Sequence, residues 1–248
     1  MEAGLTARPH GSYGIDAPWV PLLWLAIAAA TAAAAIGCAL WAPEGWAVVL
    51  CVYFGACTAV YLLGACLYGY ASLRGKFVIW SRLLDDVPAP ASAVDLGCGR
   101  GAVAIMIALR FPRADVAGVD IWRSADQSGN SERAALSNVA ANGVRERVRL
   151  LTADMTSLPI ADASVDLVTA GLSVHNIPSA EGRARALQEA VRILRPGGRL
   201  IVVDIRRTRE YARVLSETGA VVDGPTALGW RSWWTGPWVA ARAVQARR

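Results

Sequence analysis

Charge is missing from two long stretches of this 248-residue chain: no Asp, Glu, Lys or Arg occurs from Ala17 to Pro43 or from Trp46 to Leu73. A water-facing surface carries charge throughout, so neither stretch reads as ordinary soluble surface. Histidine is scarce, with two residues, so few side chains titrate near neutrality. Five cysteines show no Cys-x-x-Cys and no Cys/His ligand spacing, which excludes a zinc motif and a disulfide framework and leaves no metal site to assign. Cys38, Cys51, Cys57 and Cys66 lie in apolar segments, where free cysteine behaves as a small hydrophobe. No basic cluster is interleaved with aromatics, so no nucleic-acid partner is expected. No internal repeat occurs, and the only biased tract is the Ala-rich part of the first uncharged stretch.

What is present is apolar and unevenly placed. Hydrophobic residues make up 54% of the chain and mean hydropathy is +0.35, with the excess concentrated before residue 77. Arg8, Arg74 and Lys76 balance Glu2, Asp16 and Glu44, so the net charge of +5 sits on residues 78–248. A basic domain beside a membrane is attracted to anionic headgroups; a solvated Arg-rich surface gives the same composition. Each uncharged run exceeds the ~20 residues that a membrane-spanning helix needs. Trp19, Trp24 and Trp41 flank the first, and Trp46, Tyr68 and Tyr70 the second, as in interfacial aromatic belts. The short Ala42–Gly45 connection makes the pair an antiparallel hairpin. Ala26, Ala30 and Ala34 facing Gly55 and Ala59 would permit close helix contact, within one chain or between copies in a homo-oligomer. The turn has no Lys or Arg, whereas Arg74, Lys76 and Arg82 follow the second run, which places both ends in the cytoplasm of a multi-pass protein of the cell membrane. Two other readings compete with this one. Ala35-Ile36-Gly37-Cys38 faintly matches a lipoprotein cleavage box, but the preceding region is acidic and the run too long. A soluble helical hairpin covering the following domain is the second.

The rest of the chain is organised around Val94-Asp95-Leu96-Gly97-Cys98-Gly99-Arg100-Gly101. An apolar strand enters three alternating glycines, and a helical pattern leaves at Ala102. Glycine permits φ > 0 and close backbone approach of a ligand, and the helix N-terminus offers unpaired N–H groups. The spacing Gly97-x-Gly99-x-x-Ala102 also satisfies the dinucleotide fingerprint. Asp120 ends a second strand about twenty residues on, where an acid accepts hydrogen bonds from ribose hydroxyls. A polar loop at 123–131 follows, with Asp126 and Asn130 as candidate substrate contacts and Ser131 as helix cap. A third strand ends at Asp154-Met155. A fourth, 164–172, runs into Ser173-Val174-His175-Asn176. His175 is suited to general-base work at neutral pH, or alternatively to holding its loop by a hydrogen bond.

Asp-x-Gly-x-Gly-x-Gly after a strand, with Asp120, Asp154 and the later Leu194-Arg195-Pro196-Gly197-Gly198, resembles the class I S-adenosylmethionine (SAM)-dependent methyltransferases, over residues 91–205 and more loosely to 244. The resemblance implies a Rossmann-like, seven-stranded, mostly parallel sheet with helices on both faces and a last antiparallel strand. It implies SAM as cofactor, with Gly97, Gly99 and Gly101 approached by its methionine and ribose. Asp95 would organise the amino-acid end and Asp120 the ribose. Ile121 and Trp122 would lie near the adenine, Asp154 would accept its amino hydrogen, and Met155 would pack on the ring. It further places the loop of His175 at the methyl group and the acceptor.

The expected organisation is an N-terminal tail (1–18), a transmembrane helical hairpin (19–73), a linker and amphipathic helix (74–90) and the catalytic domain (91–248). Phe77, Val78, Trp80, Leu83 and Leu84 would form the buried side of that helix. Residues 228–244, with four Trp in nine residues, read as a closing β-hairpin that lines an acceptor pocket, rests on the bilayer or packs the core. The anchor favours a small lipophilic acceptor such as a quinone, phenol or lipid. Alternatives are a methyltransferase for a soluble small molecule, a non-catalytic SAM-binding membrane sensor and, more distantly, a nicotinamide oxidoreductase.

Overall fold

The computed structural model describes residues 8–248; the first seven residues of the expected N-terminal tail lie outside it. Two helices open the chain, α1 (Trp19–Trp41) and α2 (Glu44–Tyr70), joined by Ala42 and Pro43. Pro21 sits in the first turn of α1, where an N–H has no intrahelical partner to lose. Both helices are long and apolar enough to cross a membrane, and little of either is covered by the rest of the chain.

Their mutual contact differs from expectation. Ala28 is buried, Thr31 and Thr58 hydroxyls meet at 2.9 Å, and the Trp24 ring lies edge-on to Tyr61. The small residue that matters is Gly64, where a Cβ would sit 2.1 Å from the Trp24 ring. Ala26 and Ala30 face outward, and Gly55 has nothing near it. An alanine stripe has no preferred face, so the large ring and its glycine set the register.

No linker separates hairpin and domain. A π turn at Ala71–Gly75 carries α2 directly into α3 (Lys76–Asp85). Phe77, Ile79, Trp80 and Leu84 of α3 are buried, with Ile79 rather than Val78 on the inner side.

The domain is a seven-stranded sheet in the order β3-β2-β1-β4-β5-β7-β6. Its strands are β1 (Ser92–Leu96), β2 (Asp115–Asp120), β3 (Val148–Thr152), β4 (Val165–Gly171), β5 (Leu194–Asp204), β6 (Val221–Ala227) and β7 (Arg242–Arg247). The first five are parallel, and β7 runs antiparallel to both β5 and β6. The intervening helices are α4 (Ala102–Arg110), α5 (Glu132–Ala141), α6 (Ala180–Ile193) and α7 (Thr208–Glu217). Period-2 alternation divides the core. Ala93 and Leu167 pack toward α3 and α4, whereas Val94, Leu96, Val168 and Ala170 pack toward α6 and α7. Order reverses at β1, between β2 and β4, and the glycine loop leaves its carboxyl end, where open α/β sheets bind ligands.

The closing hairpin is also displaced from expectation. Its strands are β6 and β7, and the Trp-rich segment is the loop between them. That loop is clamped to the helical rod. Trp230 stacks on Tyr70, Trp234 meets Tyr68 edge-on, and a Cβ at Gly75 would lie 2.3 Å from the Arg231 carbonyl oxygen.

Candidate active site

A cavity of about 860 Å³ opens at the carboxyl ends of the central strands. Asp95, Gly97, Gly99, Asp120, Ile121, Asp154, Met155 and His175 all line it. Gly101 does not. It is the left-handed residue before α4, at φ +82°, and a Cβ there would meet nothing closer than 3.4 Å, so it is required for conformation alone. At Gly97, φ is +66° and a Cβ would lie 2.2 Å from that of Ser173, so any side chain would collide with the loop after β4.

Asp95 is buried between β1, β4 and α4. Its carboxylate accepts from the Thr169 hydroxyl at 2.8 Å and from the Ala104 N–H, in the first turn of α4, at 3.1 Å. Burial pushes its pKa up to about 7; the two hydrogen bonds oppose this, and Asp120 adds to it. Asp120 accepts from the N–H groups of Gly99 (2.8 Å) and Trp122 (2.6 Å), and at 3.4 Å from the Asn130 amide. Trp122 turns away from the cavity, and its indole donates to Thr152. Asn130 also donates to the Arg123 carbonyl, which leaves its buried Oδ1 without a donor. Asp154 sits at the rim, with one oxygen engaged by the Thr156 N–H. Asp126 also lines the cavity, and its pKa is raised chiefly by burial.

His175 lies in a single turn, Val174–Asn176, after β4. Its Nδ1 is 2.6 Å from Oδ1 of the fully buried Asp204, close but not aligned as a hydrogen bond. Asp204 also accepts from the N–H groups of His175 and Ile205 and from the Tyr211 hydroxyl. Burial and the adjacent carboxylate raise the Tyr211 pKa, so the phenol stays a donor. Asp204 is the site residue that the sequence reading missed. The signal was present: an acid closing the apolar run Leu200–Val203, as Asp120 closes β2.

The N-terminal segment, whose function the sequence did not disclose, buttresses the glycine loop. Asp16 accepts from Lys76, Ser72 and Gln127, and Gln127 in turn accepts from the Arg100 N–H.

The residues fit a nucleoside cofactor. Asn130 lines the cavity with a buried Oδ1 that lacks a donor, which a ribose hydroxyl would supply. The glycine loop leaves backbone where side chains would otherwise stand.

Comparison with known proteins agrees. Residues 94–202 match the family model described as "Methyltransferase domain". A ubiquinone/menaquinone biosynthesis C-methyltransferase of Syntrophotalea carbinolica is 39% identical over 112 residues, covering 45% of this chain and 42% of its own length. A demethylmenaquinone methyltransferase of Thermus thermophilus is 34% identical over 133 residues, covering 52% and 56%. The chain thus spans about half the length of these curated relatives. A solved SAM-dependent methyltransferase from Aquifex aeolicus shares the fold, with TM-score 0.54 and 16% identity over 68% of this chain and 88% of that one. Residues 94–202 thus match a methyltransferase domain, and the chain shares the fold of a solved SAM-dependent methyltransferase.

Proposed function

We propose that the protein is a membrane-anchored methyltransferase acting on a small lipophilic acceptor of the quinol or phenol kind. The observation that carries this reading is the composition of one cavity. The glycine loop, Asp120 and His175 line it together with Val20, Leu23 and Trp24 of α1. The quinone-directed names of the relatives support the same acceptor class. Arg74 and Arg82 beyond the second span, with no Lys or Arg in the turn, support a cytoplasmic domain.

SAM, when bound, supplies an electrophilic methyl group. Asp120 and Asn130 would hold its ribose, Asp154 with Ile121 and Met155 its adenine, and the Gly97–Gly101 loop its amino-acid end. Asp95 acts one step back, fixing the start of α4 and β4 around that loop. In a neutral His175 a proton on Nδ1 would face the Asp204 carboxylate 2.6 Å away, which would leave Nε2 free to act as a base. The acceptor gives its hydroxyl or ring proton to Nε2 as it gains the methyl group. Positioning in a water-poor cavity supplies much of the remaining acceleration.

His175→Ala and Asp204→Asn test the assignment. Both should lower kcat about 100-fold or more while S-adenosylhomocysteine (SAH) affinity is retained. Undiminished turnover in His175→Ala would reduce that histidine to a structural role. Absence of turnover in the wild-type protein, with SAH bound, would favour a sensor.

A further inference from the structure

The exposed residues of the cavity lining fall into two groups. Ile121, Arg123, Ala125, Asp154, Pro178 and Arg206 belong to the loops beside the cofactor residues. Trp19, Leu23 and Trp238, which are 62%, 49% and 66% exposed, make a second rim that is wholly apolar. The buried and half-buried lining adds Trp24, Phe77, Trp80 and Trp234, together with Thr235 and the paired Asp16 and Lys76, to the Gly97 and His175 of the cofactor end. Trp24 is held in place, its ring on Gly64 and edge-on to Tyr61.

The level of this second rim is significant. Leu23 lies about 6 Å along α1 from Trp19, and the 23 residues of the helix extend about 35 Å against a hydrocarbon core of about 30 Å. A spanning α1 therefore puts Trp19 at the headgroups and Leu23 at the edge of the acyl chains. The apolar rim opens into lipid rather than water.

We infer that the acceptor enters this cavity sideways from the bilayer, and that its hydrocarbon tail stays in the apolar channel between α1 and Trp238 while its polar head reaches His175. The channel favours an amphiphile with one compact head and an apolar tail. This inference rests on the membrane-anchored methyltransferase reading. Leu23, Trp24 and Trp238 become specificity residues for the tail, although two of them belong to a helix outside the methyltransferase domain.

The test uses the full chain in phosphatidylethanolamine/phosphatidylglycerol vesicles with a long-chain alkylphenol that carries a photoactivatable diazirine in its chain. Labelled residues are mapped by mass spectrometry, and SAH binding is titrated in the same vesicles. Expected is labelling of Trp24, Phe77 or Trp80, competed by unlabelled alkylphenol but not by phenol itself, and weakened about tenfold in Leu23→Arg, whose charge opposes an apolar chain at the rim. Labelling confined to Leu22, Val48 and Val52, on the outer faces of the helices, overturns lateral entry. If SAH binds normally in that case, the methyltransferase reading stands without it. Channel labelling in a protein that binds no SAH would instead keep the tail site and remove the methyltransferase reading beneath it.

Discussion

At the scale of single residues, the site depends on buried acids with different duties. Asp95 is raised to about 7 by burial, against 3.8 for an exposed aspartate. Between these values the native state holds a proton that the unfolded chain has released, so stability falls as pH rises from about 4 to about 7 and is level above. Asp95→Asn should flatten that slope, which amounts to about 4 kcal/mol at most for a shift of this size. Melting temperature against pH in the two proteins decides it; parallel curves would contradict the burial argument. Gly97→Ala has two penalties, positive φ and collision with Ser173. It should destabilise the fold by about 2 kcal/mol or more and weaken SAH binding at least tenfold, in unfolding and binding titrations respectively.

At the scale of elements, the N-terminal segment and α3 act together. Lys76 and Asp16 are both largely covered, and Asp16 holds Ser72 and Gln127 as well. Asp16→Ala strands a covered ammonium and loosens the loop on which Arg100 rests. It should cost about 2–3 kcal/mol, with Lys76→Met in the same chain restoring part of the loss, as a denaturant-unfolding cycle would show. The strands β1 to β4, the glycine turn and the starts of α4 and α5 were legible in the sequence because each has local signals: apolar runs of strand length, glycines at a sharp turn, Ser131 capping α5. The acids Asp120 and Asp154 were legible because they end such runs. What lay beyond reach depends on contacts between distant segments. Asp16 meets Gln127 across more than a hundred residues, and nothing local marks it. Asp204 ends such a run as well, but its pairing with Tyr211 and His175 is made only across segments that the fold brings together. The tryptophans of 228–241 imitate a strand through aromatic content, whereas the true β6 is interrupted by Gly224 and Pro225.

At the scale of the whole molecule, the continuous helical run Glu44–Asp85 joins the apolar hairpin to the domain that carries the sheet and the cavity. The proposed orientation puts Ala42 on the far side of the membrane from Arg113, an exposed residue of the domain. A cysteine at Ala42 should react with an impermeant maleimide on intact cells, and one at Arg113 only after lysis. The reverse pattern would invert the topology.

The most direct measurement is calorimetric titration of the detergent-solubilised full chain with SAH, alongside NAD. Micromolar binding of SAH alone, abolished in Asp120→Ala, is the expected result. Failure of the folded protein to bind SAH, or preference for NAD, would contradict the assignment of the glycine loop and, with it, the proposed activity.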